Sequence, residues 1–381
     1  MALCLLGEHR MIITTTLSPE ELDRYREQIK LKDVGLEGQL MLKQSSVAIV
    51  GLGGLGSPVT LYLAAAGVGR MTLIENDTVA LPNLHRQVLF DSGDVGSSKL
   101  EAASRRFTSL NPDIRITEHH ERLDSNNATT LLQGNDLVLD CTDNFESRYI
   151  INSVGVSLGI PVVFGSVFRS EGQVSVFGAG DGPCYQCLYP EVPNQDQAPS
   201  CADDGVLGVL PGVIGMLQAT EALKLILGIG EALVGKLILY DALRMEFRTI
   251  QVKRNPNCPV CATRTSKARE ASTSSRHHTD LAVEEYANWR NSGYPHQLID
   301  IREEYESDIA SIGGKLIPME DLLAHMEDIS RSEPIVLYCH LGIRSRKAAT
   351  MLAHLGFDNV YDLIGGINRW SERIDSSVPR Y

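Results

Sequence analysis

The sequence predicts an α/β protein, a doubly wound and largely parallel sheet followed by a smaller α/β unit. Three observations carry that prediction. Four apolar residues, Val47 to Val50, run into the glycine-rich turn Gly51-Leu-Gly53-Gly54-Leu-Gly56 and then into a helical stretch that stops at Gly67, the strand, turn and helix of a βαβ unit. Further apolar strands, Met71 to Ile74 and Asp136 to Asp140, alternate with helical stretches rather than with hairpin turns, which points to parallel pairing. After Cys261 the composition changes abruptly to small polar residues, and a second strand, loop and helix pattern follows beyond Thr279.

From the N-terminus, the apolar run Ala2 to Leu6 has no basic residues before it and no small-residue cleavage site after it. Residues 1–16 therefore read as a disordered leader rather than a secretion signal, with Met11 an alternative start. Leu17 to Leu42 predicts a helix, with Ser18-Pro-Glu-Glu as its start signal. In the glycine turn, Ser57 and Pro58 fit the cap and first position of the next helix, Ser57 to Ala66. Gly51, Gly53 and Gly56 satisfy G-x-G-x-x-G, which lets the backbone approach a phosphate at the positive end of that helix. Glu75 ends the second strand about 20 residues past the turn, where a dinucleotide fold places the acid that accepts from ribose hydroxyls. These residues specify an adenine nucleotide and leave NAD and ATP both open.

At 381 residues the chain has room for two or three domains, each with its own core. Apolar residues make up 43% and charged residues 22%, and no uninterrupted apolar run approaches the ~20 residues of a membrane helix, so no membrane partner is expected. A formal charge of -13 argues against nucleic acid as a partner while leaving room for a local basic pocket. The cysteines are Cys4, Cys141, Cys184, Cys187, Cys201, Cys258, Cys261 and Cys339. With no secretion signal they read as metal ligands and reactive thiols in a reducing cytoplasm.

Beyond Glu75 stand Arg86 and Lys99, cations that either fold back over a triphosphate or are solvated at the surface. The strand Asp136 to Asp140 then ends at Cys141-Thr-Asp143-Asn144. A carboxylate at the end of an α/β strand suits Mg²⁺ coordination, and it equally suits a cap for the helix Phe145 to Leu158. Together with the glycine turn, Asn83-Leu-His-Arg86-Gln87, Lys99 and Cys141-Thr-Asp143-Asn144, the region from about Arg24 to Cys261 resembles the MoeB/ThiF adenylyltransferases, relatives of the ubiquitin-activating enzymes. The resemblance implies a Rossmann-like domain that binds ATP on Gly51, Gly53, Gly54 and Gly56. It puts Glu75 on the ribose, Arg86 and Lys99 on the phosphates, Asp143 on Mg²⁺, and Asp77, Asn83 and Gln87 in the same nucleotide site. It also implies a homodimer. The family's N-terminal helix carries Arg-Tyr-x-Arg-Gln, whose second arginine reaches the partner subunit's ATP; here Arg24-Tyr25-Arg26-Glu27-Gln28 has Glu27 in that place.

Cys184-Tyr-Gln-Cys187 and Cys258-Pro-Val-Cys261 are two C-x-x-C pairs. Each lets one turn present two thiolates, and four such ligands with no open position predict a structural Zn²⁺, with redox activity the alternative. Between them, the polar stretch Pro193 to Gly205 predicts a crossing loop, with Cys201 either a reactive thiol or incidental. The family resemblance implies a sulfur-handling role for it. Val209 to Leu227 predicts a buried helix and Lys236 to Tyr240 a strand. The domains read as 17–262 and 281–381, joined by a flexible tether at 263–280 whose length would let the last domain deliver a group to the first.

In the last hundred residues, the apolar strand from Pro334 ends at Cys339, and His340-Leu-Gly342-Ile-Arg344-Ser345 leads into a predicted helix, Arg346 to Leu355. Loop amides, a helix N-terminus and Arg344 would converge there on the sulfur. With Asp300-Ile-Arg302 before it and Gly365-Gly-Ile-x-x-Trp370 after it, the stretch from about Leu281 to Pro379 resembles the rhodanese domain. Cysteine-dependent phosphatases share the architecture but need a longer loop than the four residues between Cys339 and Arg344. The resemblances jointly imply adenylation of the C-terminal Gly-Gly carboxylate of a small ubiquitin-like (β-grasp) sulfur carrier. Sulfur transfer from a Cys339 persulfide would follow, the persulfide being loaded by a donor such as a cysteine desulfurase or thiosulfate. The rival expectations are a carrier-binding scaffold without activity, a sulfurtransferase alone, and an NAD-dependent oxidoreductase.

Overall fold

Ser18 starts a helix as its sequence requires: its hydroxyl accepts from the Glu21 amide while the Glu21 carboxylate accepts from the Ser18 amide, a reciprocal cap. The computed structural model describes residues 17–192, 205–262, 279–319, 321–322 and 325–381. The leader, Cys4, Cys201 and the tether residues 263–278 lie outside the described residues. The chain divides into two units, Met1–Thr265 and Ser266–Tyr381.

The stretch expected to be one helix is three: α1 (Pro19–Arg24), α2 (Arg26–Ile29) and α3 (Gly35–Gln44). Packing breaks it. The Tyr25 ring is buried against Gly67, its hydroxyl accepts from Asn111 Nδ2 at 2.7 Å, and Gly35 has a φ of +59°. The first unit continues with β1 (Ser46–Val50), α4 (Gly56–Ala66), β2 (Arg70–Ile74), α5 (Lys99–Leu110) and β3 (Arg115–His119). Then come α6 (Ala128–Leu132), β4 (Leu137–Asp140), α7 (Phe145–Leu158), β5 (Val162–Phe168), β6 (Glu171–Phe177), α8 (Tyr185–Leu188), α9 (Leu210–Leu227), β7 (Lys236–Asp241) and β8 (Glu246–Gln251).

These strands form one sheet in the order β3-β2-β1-β4-β5-β6-β7-β8, parallel from β3 to β5 and antiparallel beyond. The change of direction is local in origin. Only Arg169 and Ser170 connect β5 to β6, with Arg169 at φ 52°, and so short a link permits only a hairpin. Because β1 lies between β2 and β4, the chain reverses its winding direction there, and a crevice opens beyond the carboxyl ends of β1 and β4. α9 is by length and composition apolar enough to cross a membrane, but half of that window is buried inside the unit. Gly215 brings it within contact of Leu55 and Pro58 at the start of α4, and its buried Gln218 donates to the carbonyls of Asp140 and Val163.

The second unit comprises β9 (Thr279–Leu281), α10 (Val283–Ser292), β10 (Gln297–Asp300), α11 (Glu304–Ile309) and β11 (Lys315–Leu316). It is completed by β12 (Ile335–Tyr338), α12 (Ile343–His354), β13 (Val360–Leu363) and α13 (Gly366–Arg373). Its sheet is parallel throughout, in the order β11-β10-β12-β13-β9. β9 begins at Thr279, so the end of the stretch read as tether is a strand paired with β13. α12 starts at Ile343, earlier than the expected Arg346, because Gly342 caps it at φ +85°. Cys339 follows the central strand β12.

Candidate functional site

The glycine turn leaves β1 at Gly51, whose φ is +92°. A Cβ at Gly56 would lie 2.0 Å from the Gly51 carbonyl oxygen, so the turn closes only without side chains. Ser57 is not the cap. The helix begins at Gly56 with Leu55 as its N-cap residue, and the Ser57 hydroxyl is buried without a hydrogen-bond partner among the described residues. Gly51, Gly53 and Gly54 line a cleft of about 570 Å³ together with Glu75, Asp77, Asn83, Arg86, Gln87, Lys99 and Asp143. Gly56 is buried behind the turn and does not line it.

Glu75 is held by three backbone amides, those of Leu52 at 2.9 Å, Asn76 at 2.8 Å and Asp77 at 3.0 Å. A carboxylate has about four acceptor sites, so about one is left for a ribose hydroxyl. Lys99, expected either over the phosphates or solvated at the surface, is not a solvated cation. It is buried, with Nζ 2.9 Å from Asp77 and 3.8 Å from Glu75, so its charge is already shared between acids. Among the described residues Arg86 has no carboxylate partner. Its guanidinium donates to Asn83 Oδ1 at 3.0 Å, its one side-chain hydrogen bond among the described residues. Gln87 is buried, and its Oε1 has no hydrogen-bond partner among the described residues.

Asp143 is exposed at the cleft and makes no hydrogen bond or ion pair with the described residues. The helix cap is Asn144 instead, which accepts from the Ser147 amide at 2.9 Å; this removes the structural reason for a carboxylate at 143. Cys141 is neither metal ligand nor reactive thiol. It is a core residue whose pKa is pushed up by burial and by the nearby Asp140. Sequence reasoning missed Arg148, which is buried at the cleft, donates to the Thr142 carbonyl at 3.1 Å, and lies 5.3 Å and 5.4 Å from the Phe145 and Phe164 rings. Its one sequence signal is a cation beside the apolar run Tyr149 to Ile151 of a helical stretch. Glu27, on α2, is exposed and tied to Lys30 at 2.7 Å and Arg26 at 3.7 Å.

The two C-x-x-C pairs come together. The sulfurs of Cys184, Cys187, Cys258 and Cys261 lie within 4.8 Å of one another, with Cys184 to Cys258 at 3.6 Å and Cys187 to Cys261 at 3.4 Å. A tetrahedral ion with metal–sulfur bonds of about 2.3 Å sets ligand sulfurs about 3.8 Å apart, so the set fits a four-sulfur metal centre. Burial and the neighbouring cysteines push the Cys184 thiol up, a cost that a bound cation removes. The Asn255 amide donates to Cys187 Sγ at 3.3 Å, which steadies a thiolate there.

In the second unit Cys339 has no solvent exposure. Its Sγ accepts from the Gly342 amide at 3.2 Å and from the Ser345 hydroxyl at 3.5 Å. The loop is held from behind by the start of α13, whose Ile367 and Asn368 amides donate to the Cys339 and His340 carbonyls at 2.9 Å and 3.1 Å. A Cβ on Gly366 would lie 2.2 Å from the Cys339 carbonyl oxygen, which is why this helix opens on a glycine. Arg344 does not aim an uncompensated charge at the sulfur. It forks onto Glu306 at 2.6 Å and 2.8 Å. Burial alone would raise Glu306, but the hydrogen bonds and charge of Arg344 bring it below the ordinary carboxylate range. Arg302 is fully buried on Asp300 at 2.5 Å and 2.8 Å, a scaffold ion pair.

The profile of the ThiF family matches residues 25–260. The chain belongs to the ThiF family. Fused to this ThiF unit is a second match, to the rhodanese-like domain, over residues 282–373. Among curated relatives, the probable adenylyltransferase/sulfurtransferase MoeZ of Mycobacterium tuberculosis is 39% identical over 96% of this chain and 97% of its own. The sulfur carrier protein adenylyltransferase of Thermus thermophilus is 53% identical over 64% of this chain and 91% of its own. The adenylyltransferase and sulfurtransferase MOCS3 of Aedes aegypti is 36% identical over 96% and 90%. Among solved structures, E. coli MccB with ATP superimposes with a TM-score of 0.53 at 25% identity, covering 59% of this chain and 69% of that one. This ThiF protein is an enzyme, an ATP-using adenylyltransferase joined to a rhodanese sulfurtransferase, and that membership displaces the oxidoreductase and the inactive scaffold as readings.

Proposed function

We propose that this chain uses Mg-ATP to adenylate the C-terminal carboxylate of a small ubiquitin-like sulfur carrier ending in Gly-Gly, and then converts that carboxylate to a thiocarboxylate with sulfur carried on Cys339. The observation that carries this reading is the pairing of a nucleotide cleft and a cysteine loop in one chain, matched over 97% of the length of MoeZ. A carboxylate is a poor electrophile until it has a leaving group. One of its oxygens attacks the α-phosphorus of ATP, pyrophosphate departs, and an acyl-adenylate forms beside Arg86. The outer sulfur of a Cys339 persulfide then attacks the carbonyl carbon, AMP leaves, and an acyl disulfide results. A thiol, Cys201 or an external one, attacks the Cys339 sulfur and releases the thiocarboxylate.

In this reading Glu75 holds the ribose, Arg86 and Lys99 hold phosphates, and Gln87 and Asn83 complete the nucleotide site. Asp143 takes Mg²⁺, whose part is to offset the triphosphate charge, and the four cysteines take Zn²⁺. The hairpin of β7 and β8 exposes Leu243, Met245, Phe247 and Ile250, an apolar surface suited to a protein partner: the carrier or a second copy in a cytoplasmic homodimer. The sulfur donor is a persulfide or thiosulfate. The test is pyrophosphate exchange into ATP in the presence of candidate carriers. Exchange that depends on a carrier with an intact Gly-Gly tail is expected, and no exchange with any such carrier would contradict the reading.

A further inference from the structure

A buried acid beside the reacting thiol has no part in the chemistry described so far. Asp362, on β13, is in register with Leu337 of β12, two residues before Cys339. Paired residues in neighbouring strands, and alternate residues along one strand, share a face of the sheet. Asp362 therefore lies on the side of Leu337 and Cys339, which pack with Ala348, Ala349 and Leu352 of α12. An aspartate is costly in that setting. It has no solvent exposure, and among the described residues neither carboxylate oxygen has a partner within hydrogen-bond geometry. Between it and the sulfur stands Ser345, in the first turn of α12 and fully buried. The Ser345 hydroxyl donates to Cys339 Sγ at 3.5 Å and lies against the Asp362 carboxylate. A hydroxyl has one proton to give, so while it serves the sulfur it cannot also serve the acid.

We propose that Asp362 is a positioning residue that draws the thiol proton off Cys339 through the Ser345 hydroxyl. With Asp362 ionised, Ser345 turns its proton to the carboxylate and accepts from the thiol. Transfer along this line leaves the proton on Asp362 and a thiolate that receives the Ser345 hydrogen bond across the 3.5 Å between Oγ and Sγ. The thiolate then attacks the outer sulfur of a sulfane donor. With thiosulfate, a bond forms between Cys339 Sγ and that sulfur, the thiosulfate sulfur–sulfur bond breaks, its electron pair leaves with sulfite, and Cys339 becomes a persulfide.

The charged and titratable groups facing Asp362 are Arg346 from α12, with Nε at 3.4 Å, Asp280 from β9, and the Cys339 thiol after β12. Arg346 is half exposed and also reaches Asp280 at 3.3 Å, so it compensates Asp362 only in part. Burial, opposed by Ser345 and Arg346, raises Asp362 to about 6, a strength suited to accepting a proton near neutrality. A folded-state pKa raised this way means that the ionised acid costs stability: the cost is absent below about pH 4, grows up to about pH 6, and persists above. A charge kept at that cost beside a reacting thiol is what functional sites do. The inference rests on Cys339 being the sulfur-carrying thiol.

The test measures kcat/KM for thiosulfate, with cyanide as acceptor, against pH in the full chain. The parent protein is expected to gain about tenfold per pH unit in the acid range and to level off above a pH of about 6. In Asp362→Asn that acid limb disappears and the plateau falls by about 10- to 100-fold, while the unfolding temperature at neutral pH stays the same or rises. Ser345→Ala, which keeps the acid and cuts its path to the sulfur, loses the same limb and decides the matter if the first variant does not fold. A parent-like profile in either folded variant overturns the relay. Cys339→Ala separates the two failures: sulfur transfer that survives it refutes the role of Cys339 itself.

Discussion

Replacing Asp143 with alanine is expected to lower carrier-dependent pyrophosphate exchange by about 10²- to 10³-fold while leaving the unfolding temperature unchanged. The second half of that expectation comes from the structure: Asp143 is exposed, lacks hydrogen bonds and ion pairs with the described residues, and has ceded the helix cap to Asn144. The first half follows from charge. The cleft is lined by Glu75, Asp77, Glu121 and Asp143 against Arg86, Lys99, Arg122 and Arg148, so acids and bases cancel and a triphosphate would enter with its charge unbalanced. A divalent ion held by Asp143 would supply the missing positive charge. The same substitution should also raise the Mg²⁺ concentration needed for half-maximal exchange. Unchanged exchange in Asp143→Ala, at limiting Mg²⁺, would count against this residue as the ion's ligand.

Removal of metal with a chelator is expected to lower the unfolding temperature of the first unit by about 10 °C or more, and zinc, not magnesium, is expected to restore it. The Cys184 and Cys187 pair follows β6, whereas the Cys258 and Cys261 pair follows β8, so the cluster ties the chain after the antiparallel strands to a segment far along it. Without an ion, four buried or half-buried thiols face one another with burial holding Cys184 protonated. Soft sulfur ligands in a closed tetrahedral set select zinc over magnesium. Cys261→Ser should reproduce most of the loss, and elemental analysis should find about one zinc per chain. A chelated protein that melts as before would show that the cluster is a set of packed thiols and no more.

The sequence showed the parts of this molecule that depend on near neighbours. The strand Val47 to Val50, the glycine turn after it and the two-residue spacing within each cysteine pair are set by residues within a few positions, and the structure has the strand and turn there. Where a distant residue decides, reading failed. Leu17 to Leu42 has helical periodicity, but Tyr25 finds Asn111 and Gly67 across the fold and the helix breaks there. Ser57 has the composition of a cap, yet the cap falls two residues earlier, at Leu55, because Gly56 packs on the Gly51 carbonyl. Arg344 reads as a charge for the sulfur until Glu306, on another helix, is seen to take it. Arg148 and Asp362 had no signal at all beyond being charged among apolar neighbours, and what makes them notable is which buried surface they face.

The central claim, that sulfur held on Cys339 replaces an oxygen of an activated carboxylate, is tested most directly by the mass of the carrier after incubation with ATP, Mg²⁺ and thiosulfate. With the parent enzyme the carrier should become heavier by the difference between a sulfur and an oxygen atom. With Cys339→Ala the mass should stay that of the carboxylate although pyrophosphate exchange continues. Full conversion of the carrier by Cys339→Ala under the same conditions would contradict the account.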